Sequence, residues 1–264
     1  MALIDSCVAY WKMDESSGDM IDAEGSNDGA VTSTTQNSDG IINTGYYFDG
    51  ANDIVQVDDD ASINFDENDN FSIGYWTKFN GDVGTVEVIM KRNLNDRYGF
   101  FNLAGNFAHC QMGDGSTAIS ISDDVDLNDG EWHLIIMSYS GSTSTLYLYV
   151  DGTEVDNTSS AALSGLATST AKLKFGYERI GWYKGYLDEA FVFSKALDSD
   201  DVTALWNSGA GWAYPFSAAT GTNMKINIGD TFKDVDSMKI NIADTWKAVE
   251  SVKINVGDSW KTVF

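Results

Sequence analysis

Few side chains in this sequence combine the type and spacing that catalysis needs. The two histidines, His109 and His133, lack the close spacing of a zinc site. No Ser/His/Asp or Cys/His arrangement reads as a nucleophile with its base. Cys7 and Cys110 could pair. The chain starts MALIDSCVAYWKMDE, however, with neither a basic leader nor the apolar run of a signal peptide, and thiols in such a setting are more often reduced and buried. What remains is recognition chemistry. If the chain binds sugar, rings and polar groups in loops should make the contacts, because a pyranose face stacks on an aromatic ring while its hydroxyls take hydrogen bonds. Arg97, Tyr98, His109 and the adjacent pair Trp182 and Tyr183, in the Gly-flanked loop Arg179-Ile180-Gly181-Trp182-Tyr183-Lys184, are the candidates. Trp11, Trp76, Trp132 and Trp206 sit in strand or helix patterns and are assigned to the core.

The electrostatics restrict the partner. Sixteen basic residues stand against 40 acidic ones, for a net charge of −24. A field of that sign repels nucleic acid and anionic membranes, and it attracts cations. No stretch approaches the roughly 20 apolar residues of a membrane span. The charge is unevenly distributed. Residues 224–264 hold six lysines and six acids, so the first 223 residues carry the whole excess.

The elements that would position such groups are strands. Val8–Met13, Tyr46–Phe48, Ile54–Val57, Phe71–Phe79, Trp132–Tyr139, Leu146–Val150 and Tyr186–Phe193 alternate or run apolar. Asp151-Gly152 reads as a hairpin turn. Turns every eight to twelve residues or so predict an all-β sandwich. One short helix is expected, capped by Asp198 or Ser199, with Val202, Leu205 and Trp206 on one face and Gly209 at its end; it should plug an edge of the sandwich. The lone proline, Pro215, and the small polar run after it set the domain organisation: a sandwich over 1–216, a linker over 217–223, and a second part over 224–264.

The ordered segments Ala9–Glu15, Asn27-Asp28-Gly29, Phe48-Asp49-Gly50, Phe71–Trp76, Glu131-Trp132-His133, Leu146–Gly152, Gly185–Glu189 and Lys195-Ala196-Leu197 resemble the laminin-G-like, concanavalin-A-like lectin/glucanase superfamily across roughly residues 5–212. The resemblance implies a concanavalin-A-like jelly-roll sandwich. It does not fix the function, because the fold carries lectins, adhesion modules and glycosidases. The glycosidases of this superfamily need paired carboxylates on one strand, in a Glu-x-Asp-x-Glu pattern. The nearest string, Glu154-Val155-Asp156-Asn157-Thr158, lacks the last carboxylate, so no catalytic residue is assigned and the chain is read as a non-enzyme. The resemblance also implies a structural calcium ion tying the end of the first strand to the last one, which nominates Asp14, Asn27 and Asp188.

Residues 224–264 contain three gapless copies of a fourteen-residue unit: Met224–Lys233, Met238–Lys247 and Val252–Lys261 align position by position. Each should form one hairpin, turning at Gly-Asp or Ala-Asp. Three hairpins make little core, so Ile226, Ile240, Ile254, Phe232, Trp246 and Trp260 are expected to pack on copies of the chain or on a partner. Repeats of this type resemble those of bacteriophage tail and virion proteins. That resemblance implies a virion protein, made in the host cytoplasm without an export signal, whose repeats join other virion proteins in a homo-oligomer. Its sandwich would touch host-surface glycan or polysaccharide, as a tail fibre, adhesin or capsid decoration. A cellular carbohydrate-binding or adhesion module is the alternative reading, and a glycoside hydrolase the third.

Overall fold

The computed structural model describes residues 3–81, 84–93, 96–103, 107–160, 163, 170–177, 179 and 181–216, and the strands within 224–262; for those last strands and for 93, 96 and 101–103 it describes the backbone only. The chain forms two compact units, Met1–Pro215 and Phe216–Phe264.

In the first unit the strands are β1 (Cys7–Trp11), β2 (Gly29–Thr32), β3 (Thr35–Asp39), β4 (Thr44–Asp49), β5 (Ile54–Val57), β6 (Asn70–Phe79), β7 (Val86–Asn93) and β8 (Asp96–Leu103). They continue as β9 (Phe107–Asp114), β10 (Ala118–Ser122), β11 (His133–Ser140), β12 (Thr145–Val150), β13 (Thr153–Ser159), β14 (Leu173–Phe175) and β15 (Lys184–Phe193). One sheet runs β13-β12-β11-β6-β15-β4-β3, with β1 also on β15; the other runs β10-β9-β8-β7-β14-β5-β2. All pairings are antiparallel, as a jelly-roll sandwich requires. The alternation seen in the sequence is the reason. Tyr46 and Phe48, Val55 and Val57, and Phe71, Ile73 and Tyr75 all turn into one core between the sheets with Trp11, Phe100 and Phe175. The Asp49–Asn52 turn does not join hairpin partners: β4 and β5 lie in different sheets, so the chain crosses the sandwich there. At Asp151-Gly152 both residues have positive φ (50° and 81°), as a two-residue primed hairpin turn demands.

The outer face of the eight-stranded sheet is partly covered. Trp76, Leu134, Ile136, Phe191 and Phe193 are buried outside the central core, together with Leu197, Val202 and Leu205. The helix α1 (Ser199–Trp206) begins with a complete capping box between Asp198 and Asp201 and ends at Asn207, in the left-handed conformation. Its Trp206 stacks on Trp76 at 5.1 Å. The helix therefore lies against the β13 edge strand and reaches over the sheet face as far as Trp76, because Val202, Leu205 and Trp206 need a broad apolar surface. Cys7 and Cys110 are free thiols. Among the described residues no helix is long and apolar enough to cross a membrane.

The second unit holds three two-stranded sheets, Met224–Ile228 with Thr231–Val235, Lys239–Ile242 with Thr245–Ala248, and Lys253–Val256 with Ser259–Thr262. Their register is the same each time: Ile226, Ile240 and Ile254 face Lys233, Lys247 and Lys261, while Phe232, Trp246 and Trp260 face Asn227, Asn241 and Asn255. The side chains expected to drive assembly lie outside the described residues.

Candidate functional site

The five expected sugar contacts separate into buried and partly exposed side chains. Tyr98 is buried, stacks edge-on against Phe65, and donates its hydroxyl to the Ile63 carbonyl at 2.7 Å. Tyr183 is wholly buried, with its hydroxyl 2.6 Å from Thr77 Oγ1. Both are core residues, which corrects their assignment as contacts: burial also raises both phenol pKa values and leaves no face for a ligand. Arg97, His109 and Trp182 are partly exposed. Arg97 (β8) and His109 (β9) turn to the outer side of the seven-stranded sheet, since Tyr98, Phe100, Ala108 and Cys110 occupy the inward positions beside them. Trp182 stacks on Tyr177 at 4.1 Å.

The residues nominated for calcium take part in two hydrogen-bond networks. Between Leu187 and Ala190 the edge of β15 passes from β4 to β1. Asp188 sits at that handover, fully buried, and accepts the N–H groups of Ile41 (2.9 Å), Ile42 (3.1 Å) and Glu189 (2.9 Å). Asp14 accepts from Thr44 N (3.1 Å) and Asn43 Nδ2 (3.2 Å). Both carboxylates thus tie down the segment entering β4. Asn27 belongs to another network, donating from N and Nδ2 to Asp22 Oδ2 at 3.0 Å. Calcium needs six to eight oxygens, and among the described residues no group of three acids, histidines or cysteines is placed to hold a metal. Backbone N–H groups of Ile41, Ile42 and Thr44 donate to these carboxylates and tether the segment.

The surface best built for recognition lies on the uncovered corner of the eight-stranded sheet. Tyr186 on β15 pairs with Tyr47 on β4 and with Lys78 on β6. Trp132 precedes β11, whose His133 faces Thr77, so the indole continues the row beyond Lys78. At the sheet spacing, these four positions span roughly 14 Å. All four side chains are half-buried. Tyr47 and Tyr186 lie 4.8 Å apart, Trp132 stands edge-on to Tyr186 at 6.3 Å, and Lys78 Nζ is 5.2 and 5.7 Å from the Tyr186 and Trp132 rings. Lys78 also pairs with Asp39, and Asn80 Nδ2 donates to the Tyr47 hydroxyl at 3.3 Å. Ring pairs and cation–π contacts contribute about 0.5–1.5 kcal/mol each, enough to fix the rings before a ligand arrives. The result is a rigid apolar strip edged with an ammonium, a carboxylate and an amide. An open cleft of about 430 Å³ lies at the other end of β6, near Asn64 and Asn70. Its one ring, Phe65, is already stacked on Phe71 at 4.4 Å, so it offers less stacking surface.

The profile of the concanavalin A-like lectin/glucanases superfamily matches residues 49–203, more than half of the chain. The chain belongs to this superfamily. No curated protein sequence matches it. Among solved structures, this concanavalin A-like chain is similar to the binding domain of Paraclostridial mosquitocidal protein 1, with a TM-score of 0.68, 18% identity, and coverage of 79% of this chain and 53% of that one. It is also similar to the ligand-binding domain of botulinum neurotoxin serotype D in complex with N-acetylneuraminic acid (0.65, 15%, 78% and 52%). A third is botulinum neurotoxin type C, from a study of entry through two ganglioside molecules (0.63, 16%, 78% and 52%). The chain spans about half the length of these domains, and the likeness is one of fold.

Within the concanavalin A-like unit, the strip is anchored by a histidine clamp. His133, next to Trp132, places Nδ1 2.7 Å from Asp151 Oδ2 and Nε2 3.0 Å from Asp129 Oδ1. Two carboxylates facing both ring nitrogens call for the doubly protonated ring. Burial lowers the His133 pKa, but Asp151 and Asp129 outweigh it and the net shift is upward. Glu189 shifts the same way: burial, with the charge of Asp14 added, pushes it up to about 8 against the opposing effects of Tyr10 and Lys12. A raised folded-state pKa gives stability that is complete below the unfolded value and lost as pH rises through the folded one. For Glu189 that window runs from its ordinary 4.5 to about 8, and for His133 it lies above 6.5. Thermal unfolding should therefore occur at a lower temperature at about pH 8.5 than at about pH 5. A flat or rising profile across that range would contradict the clamp.

Proposed function

We propose that the sandwich is a non-catalytic glycan-binding module of a bacteriophage virion protein, held on the particle by the repeats of 224–264. The observation that carries the binding reading is the strand-mounted row Tyr47–Tyr186–Lys78–Trp132, because half-exposed rings bordered by polar groups present the surface a sugar face needs. Two of the similar structures are of botulinum neurotoxins, one in complex with N-acetylneuraminic acid and one described as entering cells through two ganglioside molecules, which agrees with such a use of the fold. The non-catalytic reading is supported by the place of Glu154 and Asp156. Both lie on the exposed edge strand β13 and bond to Asn157, and the second active-site carboxylate of the motif is missing. A glycan array probed with the full chain tests the binding, and absence of any bound glycan would overturn it.

The virion role rests on the repeats. Open hairpin edges that recur with one register suit attachment to copies of themselves or to other particle proteins. The full chain is expected to sediment as an oligomer, and a chain ending at Pro215 as a monomer. Equal mass per particle for the two would remove the assembly role from the repeats.

A further inference from the structure

The row Tyr47–Tyr186–Lys78–Trp132 has a shape that narrows what can lie on it. Its four positions follow neighbouring strands, so it runs straight across the sheet for roughly 14 Å. Along one side it meets a wall. The next positions, Asp188, Trp76 and Leu134, are buried; Trp206 stacks on Trp76, and Ile42 and Trp76 both close against Gly211. Along the other side runs a polar rim of Asn80, Asp49 and Lys184, the last two being cross-strand partners. At both ends the sheet leaves the row open. Past Tyr47 the sheet stops at the edge strand β3, whose small, exposed Thr35 is opposite Tyr47. At the other end β12 stops at Val150, opposite Ile135, and does not reach as far as Trp132.

A ledge with open ends suits the middle of a chain, whereas a terminal sugar is held by a pocket that closes around it. The charges at the row are matched. Lys78 pairs with Asp39, Lys184 stands opposite Asp49, and the net charge of −24 repels an acidic polymer. A straight row also favours equatorial β-1,4 linkages, which keep successive rings in line, over axial linkages, which make a chain coil. We propose, on the glycan-binding reading of this row, that it holds an internal stretch of a neutral, extended β-1,4-linked polysaccharide, about three sugar rings long at the sheet spacing.

The test is calorimetric titration of the full chain with two neutral β-1,4-linked series, the oligosaccharides of glucose and of N-acetylglucosamine, from the single sugar to the hexasaccharide. In at least one series, affinity should rise about tenfold or more from the single sugar to the trisaccharide and then level off. Reducing the end sugar of the hexasaccharide to its open-chain alditol should leave its affinity unchanged. Tyr47→Ala removes one end of the row at a half-buried position. It should weaken the trisaccharide by about threefold or more and spare the disaccharide, which still covers Tyr186 and Trp132. A single sugar bound as tightly as the trisaccharide, a loss of affinity on reducing the end, parent-like trisaccharide affinity in Tyr47→Ala, or no binding of either series would overturn the proposal. If neither series binds while other glycans bind on the array, the proposal alone falls; if nothing binds, the glycan-binding reading falls with it.

Discussion

Asp188→Ala is expected to lower the stability of the sandwich by about 3 kcal/mol, read as a shift in the denaturant midpoint. The carboxylate is fully buried and is the acceptor for three backbone N–H groups, those of Ile41, Ile42 and Glu189. Alanine leaves these donors without a partner in a place water does not reach, and each buried unpaired group costs about 1–3 kcal/mol. Removal of a carboxylate whose pKa is pushed up by burial and by Glu189 offsets part of that. Asp188→Asn, which keeps one acceptor oxygen, should cost less. The damage should also reach the ring row, because the Ile41–Ile42 segment leads into β4, which carries Tyr47. EDTA should leave the parent midpoint where it is, since N–H groups donate directly to the Asp188 carboxylate. A midpoint that falls with EDTA, or an Asp188→Ala protein as stable as the parent, would contradict this account.

Much of the scaffold could be read from the residues because its signals are local. The Asp151-Gly152 turn, the capping box at Asp198 and Asp201, and the alternation of Phe71, Ile73 and Tyr75 each depend on a few neighbouring positions. The ring row proposed to bind glycan was harder to find, for a physical reason. Alternation shows that two faces of a strand differ, but not which outward ring stays uncovered. On the eight-stranded sheet that is decided by where α1 and the 41–44 segment come to rest. Trp76 is roofed by Trp206, whereas Tyr186 and Trp132 are left half-open. Trp132, assigned to the core by its strand-like context, lies just before β11 and outside it. The opposite error affected Tyr98 and Tyr183. Neighbouring residues of a strand point to opposite faces, so Arg97 and Tyr98 could not both be surface contacts. Tyr183 gave one usable sign: Gly185 follows it, and a Cβ there would meet the Tyr183 hydroxyl at 2.4 Å, a close approach that marks an inward ring. Calcium was implied by likeness of sequence, and no spacing could show that the acids already meet N–H donors.

Tyr186→Ala should remove the centre of the ring row, since Tyr186 alone touches Tyr47, Lys78 and Trp132. Rings at the centre of a contact surface carry a large share of binding energy, so a loss of at least tenfold in affinity is expected, or about 1.4 kcal/mol. The position is half-exposed, and stability should change little by comparison with Asp188→Ala. Trp132→Ala should act in the same direction. Its effect should be smaller, because that ring touches Tyr186 and Lys78 and not Tyr47.

The most direct measurement of the central claim is the affinity of the full chain, parent against Tyr186→Ala, for the strongest ligand found on a glycan array, with both melting temperatures recorded. A loss of tenfold or more at an unchanged melting temperature is the expected result. Equal affinity in the two proteins would show that the ring row on the eight-stranded sheet is not where the glycan binds.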